Sequence, residues 1–402
     1  MNSSSTKVNL SKVFGDFFYY LVVTISILLF LFTLNLGLKN FQTGRDLEVF
    51  CQAGKVIANG GNPYLTSELG LELSWNYPSA LAYGFYFACP LFNLEQNYIW
   101  IYAILFLVGF VLWLTRKDWL YGIVLCSTGL FTLGWVMVTG NISTIEFLLF
   151  SISIFLFFRK KISASLFLFG LFASLKLIPI LYLPAFLILQ TTKKDKIKAI
   201  VWSIAGFISL PLLSFITSPH LFFWYLQQIF GLIPNQHNPL TEFTPLVLNQ
   251  SLSVMILSFI RLETRLEELN LIFSLGIYIL GTFIFYLIFK SFRKPDDTQN
   301  NLILFSFGII ILTIFMPRLK PYSFLPTLLC FYLISKEQNN LFKSTYLILL
   351  SIIPTVFHLT YFYTETNHKI FVFHQIGFLC IATIVLVFST MQRYKSLQEI
   401  TK

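Results

Sequence analysis

The chain has 402 residues, of which 56% are hydrophobic, 18% aromatic and only 11% charged. Soluble domains carry about 25% charged residues, so this composition excludes a soluble globular domain and reads as an all-α, polytopic membrane protein. The net charge of +10 comes with no RNA- or DNA-binding motif, so nucleic acid is not expected as a partner. Lys and Arg that hold cytoplasmic loops in place account for it.

In chain order, "MNSSSTKVNLSKVFGD" leads into an apolar run at 17–38 without a small-residue cleavage site, which reads as a retained first helix. Apolar runs at 97–115, 119–139, 142–158, 197–217, 269–289, 301–316, 343–360 and 370–390 read as further spans. Residues 162–191 are broken by "LKLIP", 321–335 form a short run, and 77–93 are apolar but marginal in length. Charge decides between topologies. With 162–191 as a helical hairpin turning at Lys176, and 77–93 dipping without crossing, about twelve spans result, with both ends inside. Most of the 28 Lys and Arg then lie inside, including "RKK" at 159–161 and "KKDKIK" at 193–198. A full crossing at 77–93 would send "RKK" outside, against that rule.

The expected architecture is one domain over 1–402 with two long outer loops, 39–96 and 218–268. The working side is expected to be extracytoplasmic, on a multi-pass protein of the cell membrane. In the second loop, "PHLFFWYLQQIFGLIP" (219–234) reads as an interfacial amphipathic helix, with Trp224 and Tyr225 at headgroup level and its aromatics facing lipid. The five Cys are scattered without a CxxC, and suggest neither a disulfide framework nor a zinc site. No internal repeat is visible.

The first outer loop holds "TGRDLEVFCQAGK" from Thr43. Asp46, Phe50, Ala53 and Ile57 share one helical face, while Glu48, Gln52, Lys55 and Asn59 share another. Asp46 and Glu48 point about 160° apart on a helix, so they are not a paired carboxylate site. Asp46 faces the protein body and Glu48 faces water. The helix stops in "NGGNPY". One reading of Asp46 is a first-turn acid satisfying helix N–H groups, with Thr43 as the cap. The other is a general base held over a cavity. A metal site at "DLE" lacks further ligands, so no metal residue is assigned, and a divalent ion stays open.

Four other polar residues matter. Lys176 sits at a hairpin turn between apolar flanks, where it either snorkels to the interface or binds an anion. Glu146 lies one turn inside a span and is a natural partner for Lys176. His220 and His237 in the second outer loop are read as ordinary polar residues.

Taken in order, an outer-loop Asp opens a helix, then come "GGNPY" (60–64), "YPSALAYGFYFACPLF" (77–92), "GNIS" (140–143), "GLFASLKLIPIL" (170–181) and "NQSL" (249–252) with Arg261 beyond. This ordered set resembles glycosyltransferase family 87, over roughly residues 20–330. The resemblance implies a GT-C-type membrane fold, and a bacterial cell-envelope enzyme that takes sugar, mostly mannose, from a polyprenyl phosphate. It implies Asp46 as the acid that deprotonates the acceptor. It also implies that Asn249, Gln250, Ser251 and Arg261 line the donor region. Arg45, Tyr64, Tyr77, Asn141, Lys176 and Tyr322 are further candidates for substrate contact, and so are Arg318 and Lys320, two cations at the outer end of a span against the positive-inside trend. Three departures are visible. The family's Gly-Gln-x-Asn reads "GNIS" here, the second Pro of its Tyr-Pro-Pro is Ser79, and a His-bearing motif is replaced by "MPRLKPYS" (316–323), with Tyr322 near the His position.

The expected function is therefore an inverting hexosyltransferase. It takes a polyprenyl-phosphate sugar and a glycan, glycolipid or protein acceptor at the membrane, without a bound cofactor. The competing classes are a transporter or lipid flippase, which the intramembrane Lys176 and Glu146 would also suit, and a non-catalytic envelope scaffold. The internal symmetry common among transporters is not visible.

Overall fold

The computed structural model describes residues 10–41, 43–71, 75–92, 97–115, 117–190, 192–233, 251–259, 267–292, 297–317, 319–364 and 374–400. Among them every regular element is helical. The N-terminal part comprises α1 (Leu10–Asn40), α2 (Arg45–Ala58), the single turn α3 (Thr66–Leu69), α4 (Ser79–Phe92) and α5 (Asn97–Val111). The middle comprises α6 (Trp119–Thr128), α7 (Thr132–Thr139), α8 (Ser143–Phe158), α9 (Ile162–Leu175), α10 (Leu183–Leu189), α11 (Lys193–Thr217) and α12 (Pro219–Ile229). The rest comprises α13 (Leu252–Phe259), α14 (Glu267–Phe292), α15 (Thr298–Ile314), α16 (Leu325–Ser335), α17 (Asn340–Leu347), α18 (Ile353–Thr364) and α19 (His374–Ile400).

Six helical segments among the described residues are long and apolar enough to cross a membrane: Val13–Asn40, Trp119–Thr139, Lys193–Thr217, Ile272–Phe292, Asn340–Phe362 and Gln375–Gln392. The other apolar helices have 10–17 residues, short of the roughly 20 that cover a bilayer core at about 1.5 Å each. Helix length thus supports six crossings among the described residues, and the shorter apolar helices do not by length establish the rest of the expected twelve. The apolar runs are helical, but several are broken into shorter pieces. The break expected at Lys176 is present: α9 ends at Leu175, Lys176 is extended, and Pro179 opens a 3₁₀ turn that leads into α10. Phe169 and Phe186 then meet with ring centroids 4.7 Å apart, so the chain does return on itself as a hairpin. Segment 119–139 is broken as well, where Leu130 and Phe131 take left-handed backbone between α6 and α7.

That broken segment is the most buried of the six, and α11 and α14 are among the least buried. Large apolar side chains stay exposed along the outer helices, such as Phe17 and Leu28 on α1, Ile204 and Leu212 on α11, and Ile279 and Phe283 on α14. An apolar surface this continuous belongs against lipid, and the chain is a membrane protein. Inside, α9 and α11 are in backbone contact. A Cβ on Gly170 would sit 2.1 Å from the Ser203 carbonyl oxygen, and one on Gly206 2.0 Å from that of Phe167. This is the small-residue packing by which helices associate in lipid.

Two expectations are corrected outside the spans. The cysteines are not all unpaired: Cys51 on α2 and Cys89 on α4 form a disulfide, with Cα atoms 5.6 Å apart. They lie 38 residues apart in sequence, and α2 packs along α4, which is what brings them together. Tyr225 does not face lipid. It is buried with Leu221, Gln228 and Ile229 on the inner face of α12, and Gln228 donates a 2.7 Å hydrogen bond to Asn76. His220 lies on the exposed side of α12, and His237 falls outside the described residues.

Candidate active site

The site begins with the placement of α2. Its helical phasing is as expected: Phe50, Ala53 and Ile57 are buried, while Glu48, Lys55 and Asn59 are exposed. Asp46 is half-buried on the inner face. The expected cap, Thr43, is replaced by Gly44, which is left-handed at φ 73° and has no side chain to cap with. The backbone N–H of Gly44 instead donates to the Val138 carbonyl at 2.9 Å, which fixes the start of α2 against the end of α7.

Gly140 makes this contact possible. It ends α7 in the left-handed region at φ 71°, a conformation that disfavours any L side chain. A Cβ there would also lie 2.7 Å from Leu47 Cβ and 3.2 Å from Gly44 Cα. Tyr102 from α5 donates to the Gly140 carbonyl at 2.9 Å. The next residue, Asn141, therefore arrives beside the first turn of α2. Its Nδ2 donates to Asp46 Oδ2 at 2.6 Å.

From Asn141 a polar chain continues inward. Asn141 Oδ1 accepts from Lys176 Nζ at 2.9 Å, and from the Ser143 hydroxyl and backbone N–H at 2.7 and 3.2 Å. Lys176 Nζ also donates to Ser143 Oγ at 3.0 Å. It lies 2.9 Å from Glu146 Oε1 and 3.1 Å from Glu146 Oε2. An ammonium has three donors and no acceptor, so these partners occupy it fully. Glu146 is only 6% exposed, and its place in the first turn of α8 adds the favourable helix dipole. Tyr322 lies below the lysine, with its ring centroid 4.2 Å from Nζ. The residue near the expected His position thus offers a π face to a cation.

Lys176, Ser143, Glu146 and Tyr322 line a cavity of about 160 Å³, together with Lys320, Asn76 and Tyr77. Phe172, Leu177, Ile178, Pro179 and Ile229 add apolar lining. Tyr225 of α12 lines it as well. Asp46 is not among the lining residues and connects to them through Asn141. Tyr64 stands behind the wall: it is fully buried, and its hydroxyl donates to the Tyr77 carbonyl at 2.8 Å. Burial holds the Tyr64 and Tyr77 phenols well above their ordinary value, so both remain neutral hydrogen-bonding groups.

Of the residues expected at the site, the structure brings together Asp46, Tyr77, Asn141, Lys176, Lys320 and Tyr322. Arg45 opens α2 beside Asp46. Ser251 is elsewhere, hydrogen-bonded to Ser253 at 3.1 Å, which in turn receives Ser274 of α14 at 2.9 Å. Asn249, Gln250, Arg261 and Arg318 fall outside the described residues. Sequence reasoning did not assign Glu146, Ser143, Asn76 or Tyr225 to the site. Glu146 carried a signal as an acid inside a span, and Ser143 as the last residue of "GNIS". Among the described residues, no group of three His, Cys, Asp or Glu is placed to hold a metal ion.

No curated protein and no solved structure matches the chain. The family model of glycosyltransferase family 87 matches residues 75–317, which is more than half of the chain and includes Asn141, Glu146, Lys176 and the cavity's apolar side. The match begins after α2, so Asp46 joins this region through geometry, by its bond to Asn141. With the match covering more than half of the chain and most of the cavity lining, though not Lys320 and Tyr322, the chain belongs to glycosyltransferase family 87 and is a membrane glycosyltransferase.

Proposed function

We propose that this glycosyltransferase moves a hexose, with mannose the first to test, from a polyprenyl-phosphate carrier to a hydroxyl of an extracytoplasmic glycan, glycolipid or protein. Asp46 takes the acceptor proton as the acceptor oxygen attacks the anomeric carbon. The bond from that carbon to the phosphate oxygen breaks, the lipid phosphate departs, and configuration inverts. A phosphate leaving group needs positive charge more than a proton, and Lys320 supplies it at the cavity wall, beside Lys176 with its donors already engaged. Arg318, Arg261, Asn249 and Gln250 complete the proposed donor contacts, and the reaction as written uses no bound cofactor.

The observation that carries this reading is the hydrogen-bonded chain from Asp46 through Asn141 to Lys176, at the wall of a cavity lined by both polar and apolar side chains. A lipid-linked sugar phosphate likewise presents a polar head and an apolar tail. The Cys51–Cys89 disulfide between α2 and α4 supports an oxidising, extracytoplasmic location for the site. The test is an assay of the purified chain in lipid nanodiscs, with a panel of radiolabelled polyprenyl-phosphate hexoses and candidate lipid acceptors. Label transferred from one of these donors is the expected result. Transfer only from nucleotide sugars would refute the donor class. Movement of a labelled lipid across a vesicle bilayer without transfer would favour a flippase instead.

A further inference from the structure

We propose that Glu146, Lys176 and Asn141 form a positioning relay for Asp46, in which the acid acts on the base through the lysine and the amide. Asn141 then serves to orient Asp46 and not to hold the sugar. This inference rests on the reading of Asp46 as the base.

The polarity of the chain is fixed at each link. Asn141 Oδ1 accepts three donors, from Lys176 Nζ and from the hydroxyl and N–H of Ser143. A flipped amide would set its NH₂ against an ammonium and a backbone N–H, all donors. The amide is therefore held with its N–H toward Asp46 Oδ2, at 2.6 Å. Among the described residues no other side chain or backbone group donates to Asp46 from outside α2, so its second oxygen is the one left for the acceptor proton. Lys176 is gripped just as firmly, by both oxygens of Glu146 and the Tyr322 ring. Asn141 is 2% exposed and Glu146 6%, so solvent screens these two links little, while Asp46 and Lys176 are half-buried.

Two carboxylates thus share one half-buried cation, with an amide dipole between the cation and the outer carboxylate. Removing the Glu146 charge leaves Lys176 uncompensated and favours the ionised form of Asp46. Removing the lysine and Glu146 together deletes the nearer charge, which is the cation, and favours the protonated form. Arg45 on α2, Tyr77 before α4, and Tyr98 and Tyr102 on α5 also lie around Asp46, with Lys320 and Tyr322 beyond Lys176. Between about pH 4 and 8 the arginine and lysine stay charged and the phenols neutral, so their influence is constant.

The test uses the full chain in lipid nanodiscs and dicyclohexylcarbodiimide, which adds to protonated carboxyl groups. Labelling of Asp46 is followed from about pH 4 to 8 by peptide mass spectrometry. Glu146→Gln is expected to lower the midpoint of Asp46 labelling. The pair Lys176→Met with Glu146→Gln, which leaves neither charge unpaired, is expected to raise it. Variants that merely loosen the site would shift both midpoints in one direction. Midpoints that move together, or not at all, would overturn the relay. An Asp46→Asn enzyme that still transfers hexose would end the base reading while leaving the midpoints intact, so the two failures are told apart.

Discussion

Replacing Gly140 with Ala tests whether the approach of α7 to α2 sets the catalytic geometry. Two separate costs follow from the structure. A Cβ in the left-handed region at φ 71° costs about 1–2 kcal/mol. The new methyl would also lie 2.7 Å from Leu47 Cβ, while carbon atoms at rest sit about 3.5–4.0 Å apart. Relief requires α2 to withdraw by roughly 1 Å, and that lengthens the 2.6 Å bond between Asn141 and Asp46 beyond hydrogen-bonding range. A misplacement of about 1 Å can cost about 10²-fold in rate. Gly60 provides the control, since it has φ 77° and a methyl added there would meet nothing within 4 Å. Gly60→Ala should show the backbone cost alone, as a smaller thermal shift in detergent than Gly140→Ala, and keep its transfer rate. Gly140→Ala should lose the rate as well. Equal rates for the two variants would refute the idea that this contact positions Asp46.

Three further outcomes are expected. Tyr322→Phe should keep most of the transfer rate, and Tyr322→Leu should lower it roughly threefold to thirtyfold, because Lys176 needs a π face and not a hydroxyl; a Phe variant as slow as the Leu variant would contradict this. Thiol titration of the denatured chain should find the free Cys126, Cys330 and Cys380 before reduction and all five cysteines after it. Cys51→Ser with Cys89→Ser should destabilise the fold by about 2–4 kcal/mol, read as a lower thermal midpoint. With Cys126, Cys330 and Cys380 replaced, an impermeant maleimide on intact cells should label Ser67→Cys in the first outer loop and not Lys194→Cys; the reverse pattern would invert the topology.

Local periodicity made α2 legible, because Asp46, Phe50, Ala53 and Ile57 mark one face at helical spacing. The Lys176–Glu146 pair was also legible, since an acid inside a span must find a cation. The bond between Asp46 and Asn141 was not. It joins residues 95 apart in sequence, and it depends on the close approach at Gly140, which no local pattern encodes. The amphipathic character of α12 was visible, but two of its faces carry aromatics. The sequence alone does not say that Tyr225 turns inward while Phe223 and Phe230 stay exposed. The disulfide escaped notice because Cys51 and Cys89 lie on separate helices, and only the packing of α2 along α4 pairs them. Apolar runs disclosed where helices form, but not where they break. Leu130 and Phe131 interrupt a span with residues that ordinarily continue a helix.

The central claim is that Asp46 is the base of a hexosyl transfer, and the paired variants Asp46→Asn and Glu48→Gln test it most directly. The two acids open the same helix, but Asp46 turns inward to Asn141 while Glu48 is exposed. Asparagine preserves the size of Asp46 and removes its basicity. In the nanodisc assay with a radiolabelled polyprenyl-phosphate hexose, Asp46→Asn should abolish transfer and Glu48→Gln should retain most of it. An active Asp46→Asn beside an inactive Glu48→Gln would contradict the account.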